Sequence, residues 1–564
     1  MCGIAGLISA GGDADAAAVL AMVRELTHRG PDGVGVVARG GVAIGCARLS
    51  ITGAEVFAVP VAEPDGARVL AFNGEIYGLE LPGEMSDTHW LLERLRRNGS
   101  SPLPELDGMY AVAVGDLDAE RLTLARDAFG IKPLHLRRTD GAVAFASELE
   151  PLWRLAPEAP VVDADALLEY LLLGSRLGPE TPFPTIASVE PASSVTIERR
   201  GGALRISEAA APPAEATAED LAAAIRASVV ACARTTRPLG LFLSGGIDST
   251  AIAAILSEAG FEGIHTFSLL LGDDGVRILA ELDLPGAAWR TWKHHTWAPD
   301  ARAVQDAVET VLGFTSQPCF PSSAAFTYML AAMAADAGVR VVVSGEGADE
   351  LFGGYESYVE FARAGAPSVE AFYLGSAAVD AALRIVSGAE DALERLRARL
   401  AAAAPDPSGD VLDALLLVER RLSLAPLLAR LDETSMRHSI EVRVPYLHGA
   451  VPVLAGALRP SGDELSRRTK PVLRAAVADL VGDGRADEPK RPLRVPLEQW
   501  FRGSVPARVA AAVEDHRLPL DVPALRDWLA GVERRRDPGE LLLVSRLYQL
   551  IRFGERFGQS TSDR

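Results

Sequence analysis

Cys2 is one of four cysteines in a chain of 564 residues, and glycine follows it at once in MCGIAG. A thiol is mostly protonated near neutral pH. It attacks carbon only when an adjacent base or a lowered pKa makes it a thiolate. Removal of Met1 would leave the α-amine of Cys2 free, and an α-amine, with a reference pKa of about 8, is such a base. A lone cysteine is more often a small buried residue, so the thiol by itself decides nothing. Other polar groups suit the same kind of site. Arg48 in ARLSI can clamp a carboxylate. FNGEIY offers Asn73, the Gly74 backbone N–H and Glu75, and SDT offers Asp87. Singly, each of these is more commonly a turn or surface residue.

A second chemistry is written in SGGIDS, which carries Ser244, Gly245, Gly246, Asp248 and Ser249. A glycine turn between an apolar strand and a helix gathers backbone N–H groups and a helix N-terminus into an anion nest. It is not a Walker A loop, since the spacing GxxxxGK[ST] is missing. SGEGADELFGGY places Glu346, Asp349 and Glu350, three carboxylates, within five residues. Such a cluster is costly in a pocket unless a cation or basic group joins it. Mg²⁺ is held by one or two carboxylates together with phosphates. The alternative is a solvated acidic turn, and the apolar LFGGY behind the cluster argues against it.

The elements that must position these groups follow from pattern. GVAIGCARLSI, ARVLAFNGEIY, YAVAVGDL, RLTLARD and GAVAFASE are strand-like runs bounded by Gly and Asp, which predicts a strand-rich, antiparallel first part. Helices are expected over Asp15–Thr27 and Thr88–Arg97. SEAAAPPAEATAED then reads as a connector, so the expected units are 1–205, a linker at 206–220, and 221–564. Beyond it, LGLFLSGGIDST, GIHTFSLLL and VRVVVSGEGADELFGG alternate strands with Gly turns and helices, the helix after the first turn being expected over Ser249–Ala259. That alternation implies a parallel sheet with ligands at its carboxyl ends. From about residue 375 the chain is expected to be mostly helical.

Composition narrows the classes. Hydrophobic residues make up 48% and charged residues 23%, as in globular proteins, and the length calls for more than one core. A net charge of −20 argues against nucleic acid as a partner. The cysteines are scattered with no CxxC, which points to neither a disulfide framework nor a zinc site. No secretory signal and no membrane-spanning run is read, so a cytoplasmic location is expected.

Together, MCGIAG, HRGPDG, ARLSI, FNGEIY and RDAFGIKPLH resemble the glutaminase domain of class II glutamine amidotransferases. SGGIDS resembles the pyrophosphate loop of ATP pyrophosphatases, and SMRHSIEVRVPYLH and SRRTKPVLRAAV resemble later stretches of the asparagine synthetase family. The resemblance covers nearly the whole chain. It implies an α/β protein with an N-terminal Ntn-hydrolase-type αββα sandwich and a C-terminal parallel-sheet ATP-pyrophosphatase domain that ends in helices. By resemblance, Cys2 attacks the amide of glutamine, and Asn73 and the Gly74 N–H form the oxyanion hole. Arg48 holds the α-carboxylate, while Glu75 and Asp87 hold the α-ammonium. ATP and Mg²⁺ are implied, with Asp248 and Asp349 as metal ligands. Lys470 would meet the phosphates along with Ser244, Gly245, Gly246, Ser249 and Gly345. Glu346 would be a general base or would orient the intermediate. Phe242, Leu269 and Ser344 fall where the family lines the adenine pocket, and all three read equally well as core or strand residues.

The implied reaction adenylates a carboxylate acceptor, aspartate or another acid, and displaces AMP with ammonia passed through the interior. Three stretches depart from the family. GDDGVRILAELDLPGAAWRTWKHHTW is short and irregular, His448 stands where Asp is usual, and Pro492-Leu493 replaces Gly-Phe. They lie in the half expected to hold acceptor and phosphates, so the acceptor stays open. A rival reading is an intramolecular amide-forming enzyme like the β-lactam synthetases and lasso-peptide cyclases, but those commonly lose the Cys2 pocket. A silent scaffold would predict loss of SGGIDS or the carboxylates. His294 and His295 read as surface or interface residues, and Cys319 as packing. Family members are often dimers, so a homodimer is compatible with the resemblance.

Overall fold

The computed structural model describes residues 2–51, 58–79, 85–98, 103, 106–211, 220–271, 284–318, 321–365, 368–375, 377–404, 411–482, 486–488, 505–512, 518–535 and 537–558. Two six-stranded antiparallel sheets form the first part. One runs in the order Ile186–Ser188 (β10), His135–Arg138 (β8), Ala142–Ala146 (β9), Cys2–Ser9 (β1), Val42–Arg48 (β3) and Gly33–Arg39 (β2). The other runs Ala203–Ala210 (β12), Ser193–Arg200 (β11), Arg121–Arg126 (β7), Gly108–Asp116 (β6), Arg68–Ile76 (β5) and Val61–Ala62 (β4).

Alternation along the strands decides what each face buries. Ile4, Ile8, Ile44 and Cys46 from the first sheet meet Val69, Ala71, Ala113 and Leu124 from the second in a shared core. The other face of β1, through Ala5 and Leu7, packs under helix α1 (Ala16–Glu25) with Val19 and Val23. On the far side, Leu91, Leu92 and Leu95 of helix α2 (Asp87–Asn98) cover Leu70, Phe72 and Val112 of β5 and β6. The layers are therefore helix, sheet, sheet, helix, the αββα sandwich that the resemblance implies. Asp15 caps α1 by accepting from the Ala17 and Ala18 N–H groups, so the helix begins one residue later than expected.

One strand extends into the stretch that reads as a connector. β12 runs to Ala210, because SEAA pairs with β11 despite its connector-like composition. Pairing to a neighbour overrides weak strand propensity there. The next described element, α4 (Leu221–Ala233), is capped by Asp220. Further, α3 (Ala164–Leu173) belongs to the first unit by sequence, yet Leu167, Leu168 and Leu171 share a core with Leu543, Val544 and Leu547 of the C-terminal helix α7 (Pro538–Gly558). Tyr170 Oη donates to Gln549 Oε1 at 2.7 Å across that contact.

The second part is built on a fully parallel five-stranded sheet. Its order is Lys293–Trp297 (β15), His265–Leu269 (β14), Leu239–Phe242 (β13), Val341–Val343 (β16) and Glu441–Arg443 (β17). Helix α5 (Ile247–Glu258) follows β13, and nearly all of its length is buried. β17 lies inside the stretch expected to be helical. Three residues are too few for a period to show in sequence. Helix α6 (Leu424–Met436) precedes β17, and its Asp432 reaches the first domain. No helix among the described residues is long and apolar enough to cross a membrane.

Phe553 and Phe557 of α7 reach back to the first sandwich. Phe557 stacks edge-on to Trp153 at 5.2 Å and to Phe183 at 5.0 Å. Replacing Phe557 by Ala is expected to cost about 3 kcal/mol, read as a lower thermal midpoint; an unchanged midpoint would show that this contact adds nothing to stability.

Candidate functional site

Cys2 opens β1 directly opposite Arg48, the last residue of β3. Its thiol takes a hydrogen bond from Cys46, which holds it down to about 6; burial opposes this, while the positive chain terminus, the Leu49 N–H and Arg48 assist. The same contact, together with burial, pushes Cys46 well above the ordinary thiol value. One sulfur is thus set to be the thiolate and the other its donor. Cys46 is absent from the residues expected here on sequence. It sits two residues before Arg48 on one strand, so the period of two places it on the same face.

Asn73 and Gly74 come from β5. The Cys2 backbone N–H donates to Asn73 Oδ1 at 3.1 Å. Asn73 is fully buried and its Nδ2 makes no hydrogen bond among the described residues. An unspent buried donor beside a thiolate is the arrangement an oxyanion hole needs. Gly74 is required by close approach: a Cβ there would lie 2.0 Å from the Met109 carbonyl oxygen.

The cavity next to Cys2 is lined by Arg48, Gly74, Glu75 and Asp87 among others. Arg48 Nη2 donates to Ser50 Oγ at 3.3 Å. Burial pushes Asp87 up to about 6, against the pull of the Thr88 N–H. Burial pushes Glu75 up to about 8; Arg443 opposes the rise, and Glu441 and Asp87 add to it. All six residues expected at this site are therefore gathered around one cavity or beside its thiol. Arg443 comes from β17 in the other domain, and nothing in the sequence ties it to Glu75.

A second cluster sits at the carboxyl ends of the parallel strands. After β13, the Ser244 N–H donates to Ser249 Oγ at 3.2 Å and the Gly246 N–H to Ser244 Oγ at 3.3 Å, which curls the loop at the head of α5. Gly245 takes φ +75°, a left-handed value suited to glycine. The N-cap of α5 is Gly246, which brings no side chain to the first N–H groups of the helix. After β16, Gly345 lies against this loop, since a Cβ there would be 3.0 Å from the Asp248 Cβ.

Lys470 joins the two loops. Its Nζ lies 2.5 Å from Asp248 Oδ2 and 2.8 Å from Asp349 Oδ1. Burial alone would lower its pKa, but the two carboxylates raise it above the ordinary lysine value and keep it charged. Gly354 is needed for this packing, because a Cβ there would strike Asp349 Oδ1 at 1.8 Å. Asp248 and Asp349 thus share one focus, as a hard divalent cation with phosphate requires. Among the described residues no group of three or more His, Cys, Asp or Glu forms a cation site. A cation held by this pair would take its remaining ligands from phosphate oxygens and water.

The other expected residues divide. Glu346 Oε1 lies 2.5 Å from Arg430 Nη2, so its carboxylate is paired. Glu350 is buried, Tyr355 Oη donates to it, and burial, with Asp349 and Glu346, pushes it up to about 8. Phe242, Leu269 and Ser344 stand at the carboxyl ends of β13, β14 and β16. Phe242 is packed in the central core, Leu269 borders the α7 core, and the Ser344 N–H donates to the Arg443 carbonyl at 2.9 Å.

The departures are resolved in part. His448 does not pair with Asp248 or Asp349. Its Nδ1 lies 2.7 Å from Asp107 Oδ1 in the first domain, and its ring packs on Tyr77 at 4.3 Å. It makes a contact between the domains. His294 pairs with Thr266 and His295 with His265 on the edge strand β15. Residues 272–283, Cys319 and Pro492-Leu493 lie outside the described residues.

The two sites are joined by buried charge. Arg29 Nη2 meets Asp432 Oδ2 at 2.7 Å, Lys132 Nζ meets Asp432 Oδ1 at 3.3 Å, and Arg29 Nε donates to the Cys2 carbonyl at 3.3 Å. Asp432 lies on α6 of the second domain.

Comparison with known proteins agrees with this geometry. Residues 220–538 match the family model Asparagine synthase, and residues 1–206 match the Glutamine amidotransferase domain. A relative from Mycobacterium bovis, provisionally named a glutamine-hydrolysing asparagine synthetase, is 30% identical over 89% of this chain and 88% of its own. Asparagine synthetase 1 (glutamine-hydrolysing) of Bacillus subtilis is 27% identical over 90% of this chain and 88% of its own.

Alkylation of Cys2 by iodoacetamide, followed by peptide mass spectrometry, is expected to speed up as pH rises through about 6 and to level off above it. Cys232, which burial pushes up to about 12, and Cys46 should stay unlabelled. An inflection at the ordinary thiol value of about 8.5 would remove the Cys46 contact as the cause.

Proposed function

The chain belongs to the glutamine-hydrolysing asparagine synthetase family, and from that membership we propose how its residues divide the work of making an amide from glutamine and a carboxylic acid. It is a glutamine-hydrolysing amidotransferase of the asparagine synthetase type, an AMP-forming ligase.

In the proposed division, Cys2 attacks the side-chain amide of glutamine once Met1 has been removed, and the freed amine takes the thiol proton, directly or through water. The Asn73 Nδ2 and the Gly74 N–H receive the oxyanion. Arg48 holds the α-carboxylate, and Glu75 and Asp87 hold the α-ammonium. Ammonia leaves, and water then releases glutamate from the thioester. Ammonia in bulk water near neutral pH is mostly ammonium and no nucleophile, which favours transfer through the interior.

In the second site the loop of Ser244, Gly245, Gly246 and Ser249 cradles the phosphates of ATP, and Lys470 meets the α-phosphate and the leaving pyrophosphate. Asp248 and Asp349 would hold Mg²⁺, which neutralises charge on the pyrophosphate. The acceptor carboxylate displaces pyrophosphate to form an acyl-adenylate. Ammonia then displaces AMP. Glu346, fixed by Arg430, orients the acceptor or receives the proton that ammonia loses. We propose aspartate as the first acceptor to test, another free acid as the next. The observation that carries this reading is the meeting of Asp248, Asp349 and Lys470 in a chain whose Cys2 cavity is also complete; an intramolecular amide-former has no use for that cavity.

The deciding experiment supplies ATP, Mg²⁺, amide-¹⁵N glutamine and aspartate. Labelled asparagine with AMP and pyrophosphate establishes aspartate. Glutamate without asparagine moves the search to pyrophosphate release across other acids. Cys2→Ala is expected to end glutamine use while leaving ammonia-dependent amide formation; loss of both would contradict two separate sites. Asn73→Ala should lower the turnover of glutamine hydrolysis by about 100-fold, and a smaller effect on turnover than on KM would take Asn73 out of the oxyanion hole. Asp349→Ala should stop pyrophosphate release while glutamine is still hydrolysed.

A further inference from the structure

We infer that Arg443, on the last strand of the parallel sheet, is a positioning residue for glutamine binding in the other domain, where it holds the Glu75 carboxylate. The inference rests on the proposed role of Glu75 as a partner of the glutamine α-ammonium.

Arg443 is 1% exposed, and its guanidinium spans the domain boundary. Three contacts fix it within its own half. Nε donates to Glu441 Oε1 at 2.6 Å, and Nη1 donates to the carbonyls of Cys232 at 3.0 Å and Arg234 at 2.7 Å. The remaining nitrogen, Nη2, stands 3.1 Å from Glu75 Oε1. That contact lacks the alignment of a hydrogen bond.

Glu75 needs such a partner. It lines the Cys2 cavity and is only 7% exposed. Arg443 and the chain terminus favour its ionised form, and Glu441 and Asp87 oppose it. Only the ionised carboxylate of Glu75 attracts an ammonium group by charge. Arg443 shifts Glu75 toward its ionised form, so glutamine affinity in the first domain depends on a side chain of the second. Arg443 also reaches the other site, since its carbonyl receives the Ser344 N–H at the head of the loop that carries Glu346.

A buried pair that merely glued the domains would weaken both activities together. The positioning role separates them. Glutamate release is measured in the full chain between about pH 6 and 9, a range that brackets the Glu75 titration, for the parent, Arg443→Lys and Arg443→Met, alongside ammonia-dependent pyrophosphate release. Arg443→Met is expected to raise KM for glutamine about tenfold at neutral pH, the lower end of what an opposite charge at this distance contributes. Turnover at saturating glutamine should stay within about twofold, since a contact that acts on substrate binding alone moves KM. KM falls as Glu75 ionises. Without Arg443 the proton is held more tightly, so the fall should move to higher pH. Arg443→Lys, the gentler change and the one to read if the Met variant does not fold, should restore part of both effects. An unchanged KM and pH profile in either folded variant overturns the inference, as does a joint loss of glutamine- and ammonia-dependent activity in both. Glu75→Gln separates the layers. If it leaves KM unchanged, the ammonium role of Glu75 fails; if it raises KM and the Arg443 variants do not, only the inference about Arg443 fails.

Discussion

The Asp432 carboxylate ties this molecule together. It is buried, it belongs to the second domain, and it takes Arg29 on one oxygen and Lys132 on the other, both from the first. Three charges removed from water are tolerated only when each is satisfied, and breaking one contact leaves an uncompensated ion in the interior. Arg29 is satisfied by Glu148 and the Cys2 carbonyl as well. The position of the nucleophile is therefore tied to the position of α6, and through α6 to Arg430 and Glu346. Burial alone would loosen the proton on Arg29, but Asp432 and Glu148 outweigh the loss of water and hold it more tightly than in an ordinary arginine.

Two incompatible chemistries share the chain, and the fold keeps them apart by giving each its own kind of backbone. The thiolate sits at the end of an antiparallel strand, where a neighbouring strand brings a second thiol and an arginine to the same face. The proposed phosphate site sits where parallel strands end together and helices begin, a place that gathers N–H groups. Lys470 is held in the second by the carboxylates of Asp248 and Asp349. The cavity acids Glu75 and Asp87 are raised in the first by burial and by acidic neighbours. Each site is poised for a charge that the substrate brings.

Much of this is legible in the sequence where short motifs carry the geometry. Cys2, Arg48, Asn73, Gly74, Glu75 and Asp87 each stand in a local stretch, and the sandwich brings them together. SGGIDS and GEGADE come out as adjacent loops for the same reason: a strand, a turn and a helix in succession fix their own ligand end. The rest depends on contacts between remote parts. Arg443 lies in a three-residue strand with no period to read. Its partner Glu75 is hundreds of positions away. His448 looks like a change at the acceptor because its motif is local to the synthetase half, but its partner Asp107 is in the other domain. β12 is hidden by the composition of its residues, which is that of a linker.

The aromatic contact of α7 with Trp153 and Phe183 sets an order of events during synthesis. The ribosome delivers the ammonia-producing domain first, yet Phe553 and Phe557 cover its flank only when the chain has been made nearly to its last described residue. Asp432 and Arg443 also arrive late. A nascent chain that has completed the first sandwich therefore still lacks the residues that cover its flank and reach its Glu75 carboxylate. The contacts that join the two halves can form only after the second half has been made.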